Sequence, residues 1–188
     1  MSRPRLLDLF CGAGGAGMGY HRAGFEVVGV DLQPMQGKYP FEFRQVDVLS
    51  LPAWLLSRSF DAIHASPPCQ AYSITRHAHG KEHPDLVAPV RALLRETGLP
   101  YVIENVPGAP LLEPMTLCGS MFGLWAWDHY ISAPVWLKRH RLFESNVWLN
   151  PPAPCAHPRD IRCGGVYGGA WSKNRTIDPT IKRTGGYT

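Results

Sequence analysis

LDLFCGAGGAG, residues 7–17, decides the fold, because a short apolar run passes directly into a G-x-G-x-x-G loop made by Gly12, Gly14 and Gly17. This order predicts a strand, a tight turn and the first turn of a helix, with backbone amides that can approach a ligand closely. The pattern favours a nucleotide-like cofactor. By itself it does not identify which one, and a tight turn without a ligand fits it equally well.

The segments after the glycine loop alternate between strand and helix patterns. Predicted strands cover residues 6–10, 25–31, 43–46, 61–65 and 101–106, and predicted helices cover 16–23 and 88–96. Strands separated by helical stretches form parallel sheets through right-handed crossovers. The sequence therefore predicts an α/β, Rossmann-like fold, a mostly parallel sheet with flanking helices.

Two acidic residues follow the second and third predicted strands. Asp31 stands 19 residues after Gly12, where a carboxylate can accept hydrogen bonds from ribose hydroxyls. Asp47 stands where a carboxylate can accept from an adenine amino group. Both roles suit NAD as well as S-adenosylmethionine, so the choice of cofactor stays open at this point.

Composition and charge set the broad class. The 188 residues are 45% hydrophobic and 18% charged, which is typical of a folded chain with one compact core. No apolar run reaches membrane-spanning length, and five irregularly spaced cysteines favour reduced thiols. We expect a cytoplasmic protein without a membrane partner.

The charge is unevenly distributed along the chain. Residues 1–136 hold 10 Lys and Arg against 12 Asp and Glu, whereas residues 137–188 hold 9 against 3. A basic C-terminal part suits a polyanion such as nucleic acid, although a solvated basic surface is an equal alternative. We predict a catalytic domain at 1–145 and a small, basic, irregular region at 146–188.

Ser66-Pro67-Pro68-Cys69-Gln70 follows the strand predicted at 61–65, so Cys69 should lie at the carboxyl edge of the sheet. Open α/β folds place their reactive groups at this edge. The two prolines stiffen the loop, which favours a preorganised nucleophile over a small buried hydrophobe. Cysteine nucleophiles react as thiolates.

Four motifs together resemble the cytosine-C5 methyltransferases: LDLFCGAGGAG (7–17), SPPCQAYS (66–73), IENV (103–106) and KRHRLFES (138–145). They follow the family order over about three quarters of the chain, and the arrangement also resembles small phage-encoded members. The resemblance implies transfer of a methyl group from S-adenosylmethionine, with S-adenosylhomocysteine as product, to C5 of cytosine in DNA.

The resemblance also implies a set of site residues. The cofactor contacts it implies are Phe10, Gly12, Gly14, Asp31, Leu32, Asp47, Val48, Pro68 and Leu86. The catalytic residues it implies are Cys69, Glu104, Arg139 and Arg141. Leu137 stands where the family usually carries a glutamine, so one substrate contact departs from the family pattern.

These residues match the chemistry that the resemblance implies. The Cys69 thiolate would add to C6 of the ring, and Glu104 would share a proton at N3 as charge develops there. Arg139 and Arg141, predicted to alternate on one strand, would hold O2 of the base or a phosphate. A double-stranded DNA substrate would require base flipping.

The segment after residue 145 departs from the family pattern. It is short, and we expect either a missing C-terminal segment or a protein partner to complete the cofactor pocket. Cys155, His157 and Cys163 have a C-x-H-x5-C spacing that suggests a zinc site, but no fourth ligand is evident, so no metal is assigned.

Two further groups of residues are interpreted as structural. We interpret the histidines His77, His79 and His83 as part of a lid, and the tryptophans Trp125, Trp127 and Trp136 as core or lid packing.

Three alternatives remain beside a DNA methyltransferase. One is a related enzyme that modifies RNA cytosine or transfers another group, and a second is a nucleic-acid-binding remnant without turnover. The third is an NAD enzyme of Rossmann type. The presence of both Cys69 and Glu104 argues against a nucleic-acid-binding remnant, because nucleic-acid binding without catalysis needs neither side chain.

Overall fold

A computed structural model describes residues 2–72, 84–128 and 132–157, together with the backbone of 163–164. The chain divides into two compact units. The first comprises Met1–Met115 and Leu142–Leu149, and the second comprises Thr116–Arg141 and Asn150–Thr188. In the described part of the chain, no helix has the length and apolar character needed to span a membrane.

The first unit is an α/β layer structure. Its strands are β1 (Arg5–Leu9), β2 (Glu26–Asp31), β3 (Glu42–Gln45), β4 (Ala62–Ala65), β5 (Tyr101–Asn105) and β9 (Arg141–Ser145). Its helices are α1 (Gly15–Arg22), α2 (Ala53–Ser59) and α3 (Val87–Thr97), with a 3₁₀ turn at Val48–Ser50. These strands run in the order β3-β2-β1-β4-β5-β9, and each pair from β3 to β5 is parallel.

The predicted α/β, Rossmann-like fold is therefore confirmed. Strand β1 lies between β2 and β4, which places the glycine loop after β1 near the middle of the carboxyl edge. Leu7, Leu9, Val28, Val30 and Ile103 are buried in a core that continues onto α3. Central strands covered on both faces read as continuous apolar runs, which explains why β1 and β2 were visible in the sequence.

Strand β9 runs against the direction of the parallel strands. β9 pairs with β5 antiparallel, with Ile103 opposite Glu144 and Glu104 opposite Phe143. The reversal follows from the chain path, because β9 returns from the second unit instead of through a crossover helix. Mixed sheets, in which an antiparallel strand joins parallel ones, are common in such folds.

The second unit contains little regular structure. The strand β6 (Met115–Leu117) crosses the boundary between the units, and a 3₁₀ turn at Gly119–Phe122 follows it. Strands β7 (Trp125–Asp128) and β8 (Ala133–Leu137) pair antiparallel, and β10 (Cys163–Gly164) pairs with β8 in parallel. Trp125 and Trp127 are 60% and 49% exposed, so these two side chains do not pack in a core, whereas Trp136 is partly buried. Packing as a lid stays a prediction.

Beneath the glycine loop lies a buried polar network that the sequence did not indicate. Asp8 of β1 is fully buried, and the Tyr39 hydroxyl donates to its Oδ2 over 3.0 Å. Nδ1 of His64 lies 2.9 Å from Oδ1 of the same carboxyl. A Cβ on Gly17 would lie 2.7 Å from the Tyr39 hydroxyl, so the third glycine of the loop is needed for packing over this network.

The Tyr39 hydroxyl gives a first test of the fold. Tyr39→Phe keeps the ring but leaves Asp8 Oδ2 without this buried donor, which we expect to lower the free energy of unfolding by about 1–3 kcal/mol. Urea titration followed by circular dichroism measures the change. The matched control is Tyr72→Phe, because the Tyr72 hydroxyl donates to Asp85 in an exposed position and its loss should cost less than about 1 kcal/mol. Equal losses in the two variants would contradict the prediction.

Candidate active site

The glycine loop has the backbone conformation of a ligand cradle. Gly12 and Gly14 have φ of 48° and 87°, and Phe10, which is not a glycine, has φ of 58°. Left-handed backbone at a non-glycine residue stores strain, and such strain concentrates at functional sites. A Cβ placed on Gly12 would meet nothing within 4 Å, so the surface above this residue is open to a ligand.

Asp31 is tied directly to this loop. Its Oδ2 accepts from the Gly12 amide over 3.0 Å, and its Oδ1 accepts from the Gln33 amide over 2.9 Å. The two bonds hold the carboxylate beside the glycine loop at the end of β2. The neighbouring Leu32 is 61% exposed, which leaves an apolar surface next to the acid.

The other predicted cofactor residues lie at the ends of elements. Asp47 follows β3 and caps a 3₁₀ turn, accepting from the Leu49 amide over 3.0 Å. Val48 is only 2% exposed and packs in the core, unlike Leu32. Leu86 is partly buried immediately before α3.

The cysteine loop is joined to the glycine loop by hydrogen bonds. After β4, the Ser66 amide donates to Leu9 O over 3.1 Å and the Ser66 hydroxyl donates to Phe10 O over 3.2 Å. Cys69 is partly buried, and its carbonyl accepts from the Tyr72 amide over 3.0 Å. The loop therefore turns directly after Cys69, at Gln70 and Ala71, while its start is anchored beside the predicted cofactor loop.

Glu104 and the cysteine loop occupy the same edge of the first unit. β4 and β5 are neighbours with Ala65 opposite Ile103, so Glu104 follows at the level where the cysteine loop begins. The buried Asn105 donates through Nδ2 to Pro67 O over 3.0 Å. This bond joins the strand that carries Glu104 to the loop that carries Cys69.

Ser66 and Asn105 were not assigned roles from the sequence, although both lie in quoted motifs. They fix the backbone between the glycine loop, Cys69 and Glu104. In the sequence, Ser66 is only a short polar residue before two prolines, and Asn105 is only an amide directly after Glu104. Neither feature indicates a hydrogen-bond partner in another loop, so these bonds are seen only in the structure.

The predicted arginines lie in the second unit. Arg141 is the first residue of β9 and its Nη1 donates to His140 O over 2.8 Å. Arg139 precedes the strand, in a segment without regular structure. The prediction that the two arginines alternate on one strand is therefore wrong, because β9 begins only at Arg141. The histidines predicted to form a lid, His77, His79 and His83, lie outside the described residues.

A second cysteine near the site differs in character from Cys69. Burial, together with the charges of Asp8 and Asp31, raises the pKa of the Cys11 thiol to about 12. Cys11 is only 7% exposed. It therefore stays a neutral thiol at physiological pH, and it is not a nucleophile.

Comparisons of the sequence point to one family. Residues 4–112 match the family described as C-5 cytosine-specific DNA methylase. The type II methyltransferase M.XorII of Xanthomonas oryzae pv. oryzae is 34% identical over 124 residues, which is 57% of this chain. The match covers 29% of the length of that relative.

A comparison of structures agrees on the fold. The crystal structure of the Dnmt2 methyltransferase of S. pombe superposes with a TM-score of 0.52 at 16% identity. The superposition covers 77% of this chain and 49% of that one. At this identity the likeness concerns the arrangement of the sheet and helices.

Proposed function

We propose, since the chain belongs to the C-5 cytosine-specific DNA methylase family, that it transfers a methyl group from S-adenosylmethionine to C5 of cytosine in DNA. One observation carries the proposal. A chain of hydrogen bonds runs along the carboxyl edge of the first unit, from Asp31 to Gly12, from Ser66 to Phe10 and from Asn105 to Pro67. It preorganises the residues proposed for cofactor binding and for catalysis as one surface.

The residues of the glycine loop fit an adenosine-containing cofactor. The open space above Gly12, the fixed carboxylate of Asp31 and the exposed Leu32 together offer a backbone surface, an acceptor for ribose hydroxyls and an apolar contact. Asp47 would accept from the adenine amino group and Pro68 would bound the cofactor beside Cys69. When bound, S-adenosylmethionine supplies an electrophilic methyl group.

Cys69 is proposed as the nucleophile. C5 of cytosine is a poor nucleophile, and addition of the Cys69 thiolate to C6 forms a sulfur–carbon bond and pushes the ring electrons toward N3 and C5. C5 can then take the methyl group. Loss of the C5 proton returns its electron pair to the ring, and the thiolate leaves C6. The stiff, anchored loop keeps the sulfur in position without ordering a mobile segment on binding.

Glu104 is proposed to support the charge that develops at N3. A carboxyl group at that position donates or shares a proton as the thiolate adds, which is ordinary general acid catalysis. Glu104 is half-buried, next to the Asn105 bond that anchors the cysteine loop. Arg139 and Arg141 are proposed to hold O2 of the base or a neighbouring phosphate through their forked donors.

The substrate is proposed to be double-stranded DNA, with the target cytosine flipped out of the stack. Carbon 6 is hidden between stacked neighbours in a duplex, so a thiolate reaches it only in an extruded base, at a cost of a few kcal/mol. The net charge of +6 over residues 137–188 supports a polyanionic partner. A protein partner that completes the cofactor pocket belongs to the same proposal.

Cofactor and substrate can be tested in one series. We expect S-adenosylhomocysteine at 100 times its Kd to stabilise the fold by about 2.7 kcal/mol, which raises Tm, whereas NAD should leave Tm unchanged. With tritiated S-adenosylmethionine, label should enter duplex DNA and acid hydrolysis should release it as 5-methylcytosine. Label confined to RNA would favour the related RNA enzyme. Stabilisation by S-adenosylhomocysteine without any label, on a panel of mixed DNA and RNA sequences, would favour the binding remnant.

A further inference from the structure

Four side chains of the second unit converge outside the proposed active site. Cys118 follows β6, His140 precedes β9, and Cys155 and His157 lie in the segment after residue 150. One sulfur or nitrogen atom from each lies within 4.8 Å of the corresponding atom of all the others. The sequence spacing had indicated only Cys155 and His157 of this group, because the other two ligand candidates are distant in the chain.

The separations between these atoms resemble those around a single ion. Nε2 of His157 lies 3.0 Å from Cys155 Sγ, 3.1 Å from His140 Nε2 and 3.7 Å from Cys118 Sγ, and His140 Nε2 lies 3.3 Å from Cys155 Sγ. Zinc bonds of about 2.3 Å to sulfur and about 2.0 Å to nitrogen, at tetrahedral angles, separate ligand atoms by about 3.3–3.8 Å. These four separations are close to that range, and the two remaining pairs, from Cys118 Sγ to Cys155 Sγ and to His140, lie within 4.8 Å.

We propose that Cys118, His140, Cys155 and His157 form a structural zinc site that holds the second unit together. Two thiolates and two imidazoles are the donor set of structural zinc, and four protein ligands leave no open position for a substrate or a water. The set favours zinc over magnesium or calcium, which prefer oxygen ligands. The proposal is separate from the proposed function, since none of the four residues belongs to the machinery assigned to methyl transfer.

The composition of this unit explains why it needs a metal. Among its described residues, the buried apolar side chains are Cys118, Met121 and Val135, whereas large apolar residues such as Trp125 and Trp127 are exposed. Small units with so little apolar core are usually held by a disulfide or a metal. The four ligands come from three segments of the unit, so one ion would join all three.

The surroundings of the ligands suit metal binding. The Ser120 hydroxyl lies 3.7 Å from Cys155 Sγ. Groups around a metal that orient its ligands in this way are typical of built sites.

Gly119 shows that the backbone beside Cys118 is closely packed. A Cβ at this position would lie 2.6 Å from Cγ and 2.7 Å from Cβ of Leu137. These atoms are near the backbone of β8 and cannot swing away as the end of a long side chain could. The backbone that carries Cys118 is therefore closely packed against β8, and Cys118 Sγ lies 3.8 Å from Leu137 O.

The test measures metal content and geometry on the full 188-residue chain. The protein is expressed with added zinc, purified and dialysed against metal-free buffer. It should then retain about one zinc ion per molecule, measured by inductively coupled plasma mass spectrometry. Replacement by Co²⁺ should give the intense visible absorption bands of a tetrahedral thiolate site. Absence of both signals would overturn the proposal.

Variants identify the ligands. Cys118→Ser, Cys155→Ser, His140→Asn and His157→Asn should each weaken zinc binding by at least about 100-fold, measured by competition with a chromophoric chelator. His140→Cys should retain the metal and change the Co²⁺ spectrum toward a three-thiolate site, which separates loss of a ligand from loss of the fold. Full zinc retention in His140→Asn or His157→Asn would overturn the assignment.

The controls use the same residue types outside the cluster. Cys69→Ser and His21→Asn should keep the full zinc content, although Cys69→Ser should abolish methyl transfer. Cys163→Ser should also keep it, because four ligands complete a tetrahedral site without Cys163. Loss of zinc in Cys163→Ser would contradict the proposed ligand set. Since zinc content is measured without turnover, an inactive protein that binds zinc would contradict the proposed function alone.

Discussion

Cys69→Ser is expected to reduce methyl transfer to DNA by at least about a thousandfold, while S-adenosylhomocysteine binding remains within a few-fold of wild type. An alcohol is a much weaker nucleophile than a thiolate at neutral pH, and addition to C6 must precede methylation. The Ser66 and Asn105 bonds that anchor the loop use residues other than Cys69, so the geometry should be retained. Initial rates with tritiated S-adenosylmethionine measure the loss.

A trapped intermediate locates the nucleophile independently of the rate. An oligonucleotide carrying 5-fluorocytosine has no C5 proton to lose, so the covalent bond between sulfur and C6 should persist after methyl transfer. Peptide mapping should find the adduct on Cys69 and not on Cys11, whose pKa of about 12 keeps it a neutral thiol. Cys11 thus acts as an internal control. Unreduced activity in Cys69→Ser, or turnover without any adduct, would contradict the mechanism.

Much of the first unit could be predicted because its signals are local. The apolar runs of β1 and β2 and the glycines between them occur within one stretch of chain, and parallel sheets place the following loops at a common edge. The position of Cys69 after β4 follows from the same logic. The helix α2 was missed, since its seven residues are too few to show a helical period.

The contacts that fix the site could not be read from the sequence. Asp8 and Tyr39 are 31 residues apart, and nothing near Tyr39 marks it as the partner of a buried acid. The four cysteines and histidines of the second unit come from three segments, so no short spacing reveals them. Pairings of this kind are decided by the path of the chain, which brings together side chains that carry no mutual signal.

A buried ion pair illustrates the same point. Arg91 of α3 binds Glu144 of β9 with both arms of its guanidinium, over 2.6 Å and 2.7 Å. Glu144 is 3% exposed and also accepts from the Leu112 amide over 2.8 Å. The hydrogen bond to Glu144, outweighing the effect of burial, raises the pKa of Arg91 further. The pair joins the antiparallel strand β9 to helix α3.

Arg91→Ala is expected to lower the free energy of unfolding by about 3–5 kcal/mol, because it leaves the Glu144 carboxylate buried without its cation. Arg91→Lys should recover only part of the loss, since an ammonium group cannot bind both oxygens in the forked geometry. Urea titration followed by tryptophan fluorescence and circular dichroism measures both variants. The matched control is Arg44→Ala, which removes an exposed partner of Glu42 and should cost less than about 1 kcal/mol.

The double variant Arg91→Met/Glu144→Leu separates the cost of an orphaned charge from the value of the pair. Removing both charges and filling the space with apolar atoms should restore most of the stability lost in Arg91→Ala, because the buried pair is offset by the desolvation of its two ions. The Leu112 amide loses its acceptor in this variant, so a deficit of about 1–2 kcal/mol should remain. If the double variant is as unstable as Arg91→Ala, the pair itself, and not the unpaired carboxylate, holds β9 against α3.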